Sequence, residues 1–384
     1  MNEHDRWNYV TKNNVQLPDE YDSIFNDLEP FWGIEPRELI RLRDELESAK
    51  DTYTLGRINA SGTEIDVVNY ALNDKGLIRN SEPVVHLLSY IAEFLPPFRA
   101  VFSPHDSPSR LSDYEVKSAA LQAAQNSSCT SSFDLPPFTD LEPILAIERG
   151  HLPKIHDIGW VAACPPSSPA RSAPINLAEP PSRSSNKTFI WDHRLSMDPC
   201  LHPELFYRHG QFLSHWLGPT PQREMVPLFS FCSTTVHHDI RVPSTYGWVE
   251  EPMKPTEDPD WDDKVEERLG WRGSNTGIWH GGGMRWKEAQ RASLVRIANA
   301  LNGTTRVLLP TKSETERVGA SKEMRNGKLN PGMFDVSFAG EPLDCDESSC
   351  GVLTTAYRWE AKQSVREAGK YRYILDVCFP LAFV

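Results

Sequence analysis

Short apolar runs separated by helical segments are the feature that most constrains the fold of this chain. The strand candidates are Phe98–Phe102 and the runs MVPLFSF from Met225, TRVLLP from Thr305 and YRYILDV from Tyr371. Helical spacing of apolar residues marks PRELIRLRDELES from Pro36, residues 83–94 and residues 285–301. Strands that alternate with helices favour parallel sheets joined by crossover helices. The sequence therefore predicts an α/β fold.

The length of 384 residues is enough for two domains, each with a core of its own. We place the first domain at residues 1–245 and the second at residues 246–384. The 31 prolines and the mean hydropathy of −0.48 predict long loops between the packed elements. The Pro-rich and Ser-rich stretch at residues 164–188 cannot sustain a helix or a central strand, so we interpret it as an exposed loop.

The formal net charge of −13 argues against nucleic acid as a partner. Affinity for DNA or RNA comes largely from Lys and Arg side chains that release counterions from the phosphate backbone. A local basic cluster can nevertheless hold a small phosphorylated ligand, because neighbouring charges set the field in a cleft. Such a cluster lies between Arg268 and Arg296.

The seven cysteines show neither a CxxC pair nor the spacing of a zinc finger, so we predict no structural metal site. Cys345 and Cys350 are close enough in sequence to form a disulfide in an oxidising compartment. The odd total leaves at least one thiol unpaired, and the sequence is equally compatible with a reduced chain.

The sequence contains little information about the cellular location of the protein. The N-terminal segment MNEHDRWNYVTKNN lacks the apolar run of a signal peptide. No window of the chain reaches the ~18 to 20 apolar residues of a membrane span, so we expect no such span. The sequons at Asn59, Asn126, Asn186 and Asn302 suit a secretory protein but also arise by chance.

The segment most suggestive of ligand binding is RLGWRGSNTGIWHGGGMRWKEAQRASLVRIANAL, residues 268–301. A Gly-rich and Ser/Thr-rich loop that leads into a helix suits phosphate, because free backbone N–H groups and the helix N-terminal partial charge converge there. Gly273 and Gly277 permit close backbone approach. The candidate donors to a departing diphosphate are Arg272, Arg285 and Arg291. The competing interpretation is a glycine-bearing surface turn with solvated arginines, since the segment has neither the P-loop nor the GxGxxG pattern.

A second candidate site is the polar turn after the strand Phe98–Phe102, which leads into a helix predicted near Asp113. His105, Asp106 and Arg110 lie together on this turn. A carboxylate on such a loop can accept the proton of an attacking hydroxyl, as a general base does. The competing interpretation is that Asp106 begins an Asx-type turn before Pro108.

The third candidate is MVPLFSFCSTTVHHDIRVP, residues 225–243, where an apolar run ends in polar residues. We interpret Ser230 and Asp239 as the lining of a substrate cleft or as part of an ordinary loop. His237 and His238 invite a metal interpretation, which we reject because neighbouring residues on one strand point to opposite faces. The DxD spacing in DPDWDD, residues 258–263, is better explained by solvated charge than by a divalent cation.

A set of short motifs occurs in the order found in one known family. They are FWGIEP at 31–36, HDSPSR at 105–110, GWVAACPPSSPAR at 159–171, DPCLHPE at 198–204, VPLFSF at 226–231, WRGSNTG at 271–277, NPGMFDVSFAG at 330–340 and KYRYILDV at 370–377. Together they resemble the capsule-associated and protein O-glucosyltransferase family, also called lipopolysaccharide-modifying, and most closely its fungal branch. Each motif is short, but their colinearity over nearly the whole chain is specific.

The resemblance implies a GT-B-like α/β fold of two Rossmann-like domains facing a cleft, the acceptor side N-terminal and the donor nucleotide C-terminal. It implies an inverting hexosyl- or pentosyltransferase of the Golgi or ER lumen that uses no metal or other cofactor. The donor is then UDP-glucose or UDP-xylose, and the acceptor is a hydroxyl of a protein or glycan.

The resemblance also implies roles for individual residues. Asp106 corresponds to the family's proposed base, with His105, Arg110, Ser230 and Asp239 expected in the same cleft. The residues expected to border the donor diphosphate are Arg272, Gly273, Ser274, Asn275, Thr276 and Gly277, with Arg285 or Arg291 stabilising the leaving group. In a single in-line displacement, Asp106 takes the acceptor proton while the acceptor oxygen attacks the anomeric carbon and UDP departs.

The chain departs from the family pattern at both ends. After KYRYILDV the family continues into a DG-containing segment that completes the nucleotide domain, whereas this chain reads CFPLAFV and ends. We therefore expect a truncated C-terminal domain, with exposed apolar side chains at Phe379, Leu381, Phe383 and Val384 and either low stability or a requirement for a partner. The family's N-terminal signal or anchor is also missing. The alternative function is thus an inactive family member that binds glycan or protein.

Overall fold

The computed structural model describes residues 22–57, 64–131, 160–172, 193–207, 212–213, 221–242, 258–282, 284–313 and 319–375. The chain divides into two compact units. The first comprises Met1–Leu205, His215–Trp248 and Leu381–Val384, and the second comprises Phe206–Ser214 and Val249–Pro380. The predicted domain boundary after residue 245 and the apolar C-terminal residues Phe379, Leu381, Phe383 and Val384 lie outside the described residues.

The first unit combines helices with a sheet of mixed direction. Its helices are α1 (Asp22–Trp32), α2 (Pro36–Leu46), α3 (Glu82–Ser89), α4 (Tyr114–Gln125), α5 (Pro169–Ser172) and α6 (His193–Ser196). Its strands are β1 (Thr52–Arg57), β2 (Asp66–Ala71), β3 (Phe98–Phe102), β4 (Leu228–Ser230) and β5 (Ile240–Arg241). The sheet order is β2-β1-β3-β4-β5. β1 is antiparallel to β2 and β3, whereas β3, β4 and β5 are parallel.

Several sequence predictions for this unit are confirmed. The strand Phe98–Phe102 has the predicted bounds, and the helix predicted from Pro36 has its proline at the first position. The helix predicted near Asp113 begins at Tyr114, with the Asp113 carboxylate accepting from the Glu115 and Val116 amides.

The helix predicted over residues 83–94 is wrong in its extent. α3 ends at Ser89, and a short 3-10 turn follows at Ala92–Phe94. The backbone leaves helical geometry at Ile91, where φ is −118° and ψ is 8°. The apolar spacing continues through this break, so the side-chain pattern alone does not reveal it.

The interpretation of residues 164–188 as an exposed loop is wrong at its start. A short helix, α5, covers Pro169–Ser172, and Cys164 and Ala170 are fully buried. Residues 173–188 lie outside the described residues.

Two apolar clusters hold the helices of the first unit against its strands. In one, Tyr53, Leu55 and Phe102 of the sheet pack with Val84 of α3. In the other, α1 and α4 pack with the strand side chain Ile240, the members being Phe31, Ile34, Val116, Ala120, Met225 and Ile240. The burial of such side chains contributes roughly 1.5–3 kcal/mol each.

The second unit contains a sheet in which all strands are parallel. The strands of the whole unit are β6 (Glu266–Gly273), β7 (Thr304–Leu308), β8 (Ser321–Arg325), β9 (Phe334–Ala339), β10 (Trp359–Glu360) and β11 (Tyr371–Ile374). Its helices are α7 (Gln290–Ala298), α8 (Asn326–Met333), α9 (Glu347–Ala356) and α10 (Val365–Ala368). The parallel sheet has the order β10-β9-β6-β11. A parallel sheet with crossover helices confirms the predicted α/β class.

The strand order of this sheet contains a reversal. From β6 the chain moves outward to β9 and β10, and then returns to the other side of β6 with β11. This matches the order of the first four strands of the dinucleotide-binding fold, in which the crevice at the reversal receives the ligand. The carboxyl ends of β6 and β11 therefore mark the expected ligand position.

Two sequence predictions for the second unit need correction. The run TRVLLP does form a strand, β7, but it pairs antiparallel with β8 in a separate two-stranded ribbon. The helix predicted over 285–301 is shorter, because a 3-10 turn at Trp286–Glu288 precedes α7. Ala289 between them has ψ of 150°, which is incompatible with a continuous helix.

The core of the second unit lies on the face of the sheet that carries Trp271, Val336 and Phe338. α7 packs on this face through small and β-branched side chains, and α9 packs there through Leu353. The α7 residues in the cluster are Ala292, Val295 and Ala298. This packing fixes where the loop between β6 and α7 starts and ends.

Gly33 generates a stability prediction for the first unit. A Cβ on Gly33 would lie 1.8 Å from the Ala120 carbonyl oxygen and 2.7 Å from the Ala124 amide nitrogen. We expect Gly33→Ala to lower the free energy of unfolding by about 1–3 kcal/mol, because α4 must move away. Urea denaturation followed by circular dichroism measures this change. Gly351→Ala is the control, since nothing lies within 4 Å of its added methyl group; equal stability of the two variants would contradict the prediction.

Candidate functional site

A cavity of about 380 Å³ lies at the strand-order reversal of the second unit. It is lined by the carboxyl ends of β6 and β11, by Arg291 of α7 and by residues around α10. The lining residues are Gly270, Trp271, Arg272, Gly273, Ser274, Arg291, Gln363, Ala368, Tyr371, Ile374 and Leu375. Ligand pockets typically measure ≈ 300–1,000 Å³, and open α/β sheets bind ligands at this position.

The glycine-bearing loop, residues 273–282, follows β6 directly. Among the described residues, the peptide N–H groups of residues 274–277 donate no hydrogen bond. Gly277 has φ of 105°, a backbone conformation that favours glycine. Ser274 is the member of this run that lines the cavity, and an unpaired amide in that position is suited to an anionic ligand.

Arg291 holds the cavity side of the glycine-bearing loop. Its Nη1 donates to the Ser274 carbonyl oxygen at 3.1 Å and to the Thr276 Oγ1 at 2.9 Å. The hydroxyl groups of Ser274 and Thr276 lie 2.7 Å apart. Arg291 thus brings a positive charge to the cavity and fixes the loop that borders it.

Asn275 is an anchor for the same loop and does not line the cavity. Its side chain is buried, and its Nδ2 donates to the Leu343 carbonyl oxygen at 2.6 Å. Its Oδ1 accepts from the Leu343 amide at 2.9 Å. This exchange of two hydrogen bonds ties the loop after β6 to the loop after β9.

Arg272 lines the cavity, but its guanidinium group is engaged by Asp335 of β9. Nη2 lies 2.8 Å from Asp335 Oδ1, and Nη1 donates to the Asp335 carbonyl oxygen at 2.7 Å. The Tyr371 hydroxyl donates to Asp335 Oδ2 at 2.5 Å. Burial raises the pKa of Asp335, but the hydrogen bonds from Tyr371 and Arg272 outweigh it, so the pKa is lowered overall. The carboxylate is therefore ionised and compensates the charge of Arg272.

Gly270 provides the space for Tyr371 in this network. A Cβ on Gly270 would lie 2.7 Å from Cδ1 of the Tyr371 ring. The ring therefore lies flat over the backbone of β6, with its hydroxyl directed at Asp335. Sequence reasoning missed both Asp335 and Tyr371. The detectable signal for Asp335 was a lone carboxylate within the mainly apolar run FDVSFA.

Arg285, another predicted donor ligand, does not line the cavity. It immediately precedes the 3-10 turn Trp286–Glu288, and its Nε is buried and has no hydrogen-bond partner in the described part of the chain. The structure therefore groups Arg272, Gly273, Ser274 and Arg291 at the cavity. The other predicted donor ligands lie outside its lining: Asn275, Thr276, Gly277 and Arg285.

The predicted base and its neighbour lie on the loop after β3 in the first unit. The side chains of His105 and Asp106 are exposed. Among the described residues, the Asp106 carboxylate accepts no hydrogen bond, whereas its carbonyl oxygen accepts one from the Cys232 thiol. The Asx-type turn considered for Asp106 is thus not formed by its side chain.

Asp239 and Ser230 anchor this loop from beneath. Asp239 is fully buried, and its carboxylate accepts from the Ser109 and Arg110 amides at 3.1 and 2.8 Å. The Ser230 hydroxyl donates to the same carboxylate at 2.8 Å. Burial raises the pKa of Asp239 above its ordinary value. Asp239 and Ser230, predicted as cleft lining, are therefore internal supports of the loop that carries Asp106 and Arg110.

His237 and His238 are also buried within the first unit. His238 Nε2 accepts from the Val226 amide at 3.3 Å, so Nδ1 carries the proton and donates to the Ser112 hydroxyl at 2.9 Å. Burial lowers the pKa of His238 well below its ordinary value, which keeps the ring neutral. Within the described ranges, no group of three or more His, Cys, Asp or Glu side chains is placed to hold a metal ion.

Two disulfides join described cysteines. Cys345 and Cys350 form the bridge that their spacing allowed, and Cys164 pairs with Cys200, which the sequence did not reveal. Cys129 and Cys232 are free thiols, the first exposed and the second buried.

Comparisons with known proteins gave no match to a family model, a curated protein or a solved structure. None of the helices in the described part of the chain has both the length and the apolar character needed to cross a membrane.

Asp335 generates a stability prediction for the second unit. The Arg272 and Asp335 side chains are 10% and 8% exposed, so removal of the carboxylate charge leaves a buried guanidinium uncompensated. We expect Asp335→Asn to lower the free energy of unfolding by about 3 kcal/mol. Tyr371→Phe removes one hydrogen bond and should cost about 1 kcal/mol. Chemical denaturation measures the free energy of unfolding of both variants. A smaller loss of stability in Asp335→Asn than in Tyr371→Phe would contradict the prediction.

Proposed function

We propose that this protein is an inverting glycosyltransferase that moves glucose or xylose from a UDP-sugar to a hydroxyl of a protein or glycan. The observation that carries the proposal is the cavity at the reversal of the parallel sheet, bordered by Arg291 and by Ser274, whose amide donates to no other described group. The ordered series of family-like motifs in the sequence agrees with it. A GT-B architecture is part of this proposal.

The diphosphate of the donor fits the chemistry of the glycine-bearing loop. Ser274 lines the cavity with an amide that donates to no other described group, and Arg291 supplies a permanent positive charge at the same edge. Both favour the negative charge that grows on the diphosphate as the glycosidic bond breaks. The catalytic contribution of this unit is therefore stabilisation of the leaving group.

The remaining cavity wall suits the nucleoside. Trp271, Ile374 and Leu375 supply apolar surface, and the Gln363 side chain supplies an amide that can both donate and accept a hydrogen bond. The cavity wall thus combines apolar contact surface with a polar group that can fix the orientation of a base.

Asp106 is proposed as the base that takes the acceptor proton. Its carboxylate is exposed and has no described hydrogen-bond partner, so it is available to an incoming hydroxyl. The buried Asp239 carboxylate fixes the loop backbone at Ser109 and Arg110, which limits the movement of Asp106. No metal or other cofactor enters the proposed reaction.

The disulfides bear on the proposed location. Bridges Cys164–Cys200 and Cys345–Cys350 are typical of proteins that fold in an oxidising compartment. We therefore propose that the protein works in the Golgi or ER lumen.

Calorimetric titration with UDP, UDP-glucose and UDP-xylose tests the donor site. We expect UDP to bind better than uridine or AMP, and Arg291→Ala to weaken UDP binding roughly 10- to 100-fold through loss of a charged hydrogen-bond donor. Arg296→Ala is the matched control, because Arg296 is an exposed arginine on the same helix and does not line the cavity. Equal binding of UDP and AMP would refute the donor site.

Asp106→Asn tests the proposed base. We expect UDP-sugar binding to persist while transfer to an acceptor falls by about 10²- to 10⁴-fold, because the amide cannot accept a proton. Glu64→Gln, at another exposed carboxylate of the same unit, should retain activity. Retained transfer in Asp106→Asn would remove Asp106 from the mechanism. Donor binding without transfer by the unmodified protein would instead favour the inactive binding protein.

A further inference from the structure

The disulfide segment, residues 340–350, is the second support of the glycine-bearing loop. It follows β9 and leads into α9. The His280 amide donates to the Asp344 carbonyl oxygen at 2.7 Å, and the Asp346 amide donates to the His280 carbonyl oxygen at 3.1 Å. His280 is thereby paired in a parallel bridge with Cys345, which is itself one of the disulfide cysteines.

Side chains add to this backbone pairing at both ends of the loop. Asn275 exchanges two hydrogen bonds with Leu343, as described above. The Gly282 amide donates to Asp346 Oδ2 at 2.9 Å. The disulfide segment therefore contacts the loop at residues 275, 280 and 282, whereas Arg291 holds it at residues 274 and 276.

The Cys345–Cys350 disulfide connects this segment to the core of the unit. Cys350 lies in the first turn of α9, where its amide donates to the Asp346 carbonyl oxygen and Asp346 Oδ1 accepts from the Ser349 amide. One turn further on, Leu353 is fully buried in the core. The disulfide thus holds Cys345, the bridge partner of His280, against a helix that is itself fixed by packing.

We propose that the Cys345–Cys350 disulfide, acting with Asn275, positions the glycine-bearing loop for nucleotide binding, so that affinity for UDP depends on the oxidised bridge. The inference rests on the proposed donor site. Asn275 and the disulfide are positioning groups, because neither lines the cavity. A loop that lacks the contacts with the disulfide segment is more mobile before the ligand binds, so it must lose more conformational freedom on binding. This lowers the affinity without removing any direct contact with the ligand.

The bridge is accessible to a dithiol reductant. Cys345 and Cys350 are half-buried, whereas Cys164 and Cys200 are buried. A thiolate of the dithiol attacks one sulfur and forms a mixed disulfide, and the second thiol then displaces the remaining cysteine. The dithiol is oxidised to a cyclic disulfide, and Cys345 and Cys350 become thiols. Mild treatment is therefore expected to open Cys345–Cys350 before Cys164–Cys200.

The test is calorimetric titration of UDP into the oxidised protein, the dithiol-treated protein and Cys345→Ser/Cys350→Ser. We expect treatment and substitution each to weaken UDP binding by about tenfold, and reoxidation of the treated protein to restore it. Cys164→Ser/Cys200→Ser is the matched control and should retain its UDP affinity. Addition of Asn275→Ala to the Cys345→Ser/Cys350→Ser variant should weaken binding by less than the product of the separate effects, because both changes release the same loop.

Hydrogen exchange gives a readout that does not depend on UDP. Amides of residues 280 and 282, which donate to the disulfide segment, should exchange faster after reduction, while α7 amides keep their protection. Unchanged UDP affinity and unchanged exchange in the reduced protein, with both cysteines confirmed as thiols, would overturn the inference. Failure of the oxidised protein to prefer UDP over AMP would instead refute the proposed donor site, and faster exchange at residues 280 and 282 would still support the positioning role.

Discussion

In each unit, one buried polar side chain fixes a loop that leaves the sheet by hydrogen bonds to the backbone. In the first unit Asp239 accepts from the Ser109 and Arg110 amides. In the second unit Asn275 pairs with both backbone groups of Leu343. An unsatisfied buried group costs roughly 1–3 kcal/mol, so these contacts decide the loop conformation. The proposed chemistry depends on both loops.

The two arginines that line the cavity contact different parts of the second unit. Arg272 donates to the side chain and carbonyl oxygen of Asp335, so its charge stabilises the junction of β6, β9 and β11. Arg291 donates to hydroxyl and carbonyl oxygens of Ser274 and Thr276. Arg272 therefore supports the strands beneath the cavity, whereas Arg291 supports the loop at its edge.

Sequence analysis predicted an element correctly where the signal lies in neighbouring residues. It was wrong where the structure depends on contacts between residues far apart in the chain. The apolar run Phe98–Phe102 directly follows two prolines, which set its start correctly. The strand TRVLLP was predicted correctly, but its pairing with β8 depends on a partner that periodicity does not identify. We interpreted Asp239 as cleft lining because its burial depends on the loop at Ser109, which lies 130 positions away in the sequence. Asp335 was missed because its partner Arg272 lies 63 positions away.

The fit between Gly270 and Tyr371 has a consequence for sequence divergence. Any side chain at position 270 would collide with the aromatic ring and separate its hydroxyl from Asp335. A homologous chain that replaces this glycine must therefore also replace the tyrosine with a smaller residue and find another partner for the carboxylate. Positions 270, 335 and 371 should vary together in evolution, although up to 101 residues separate them along the chain.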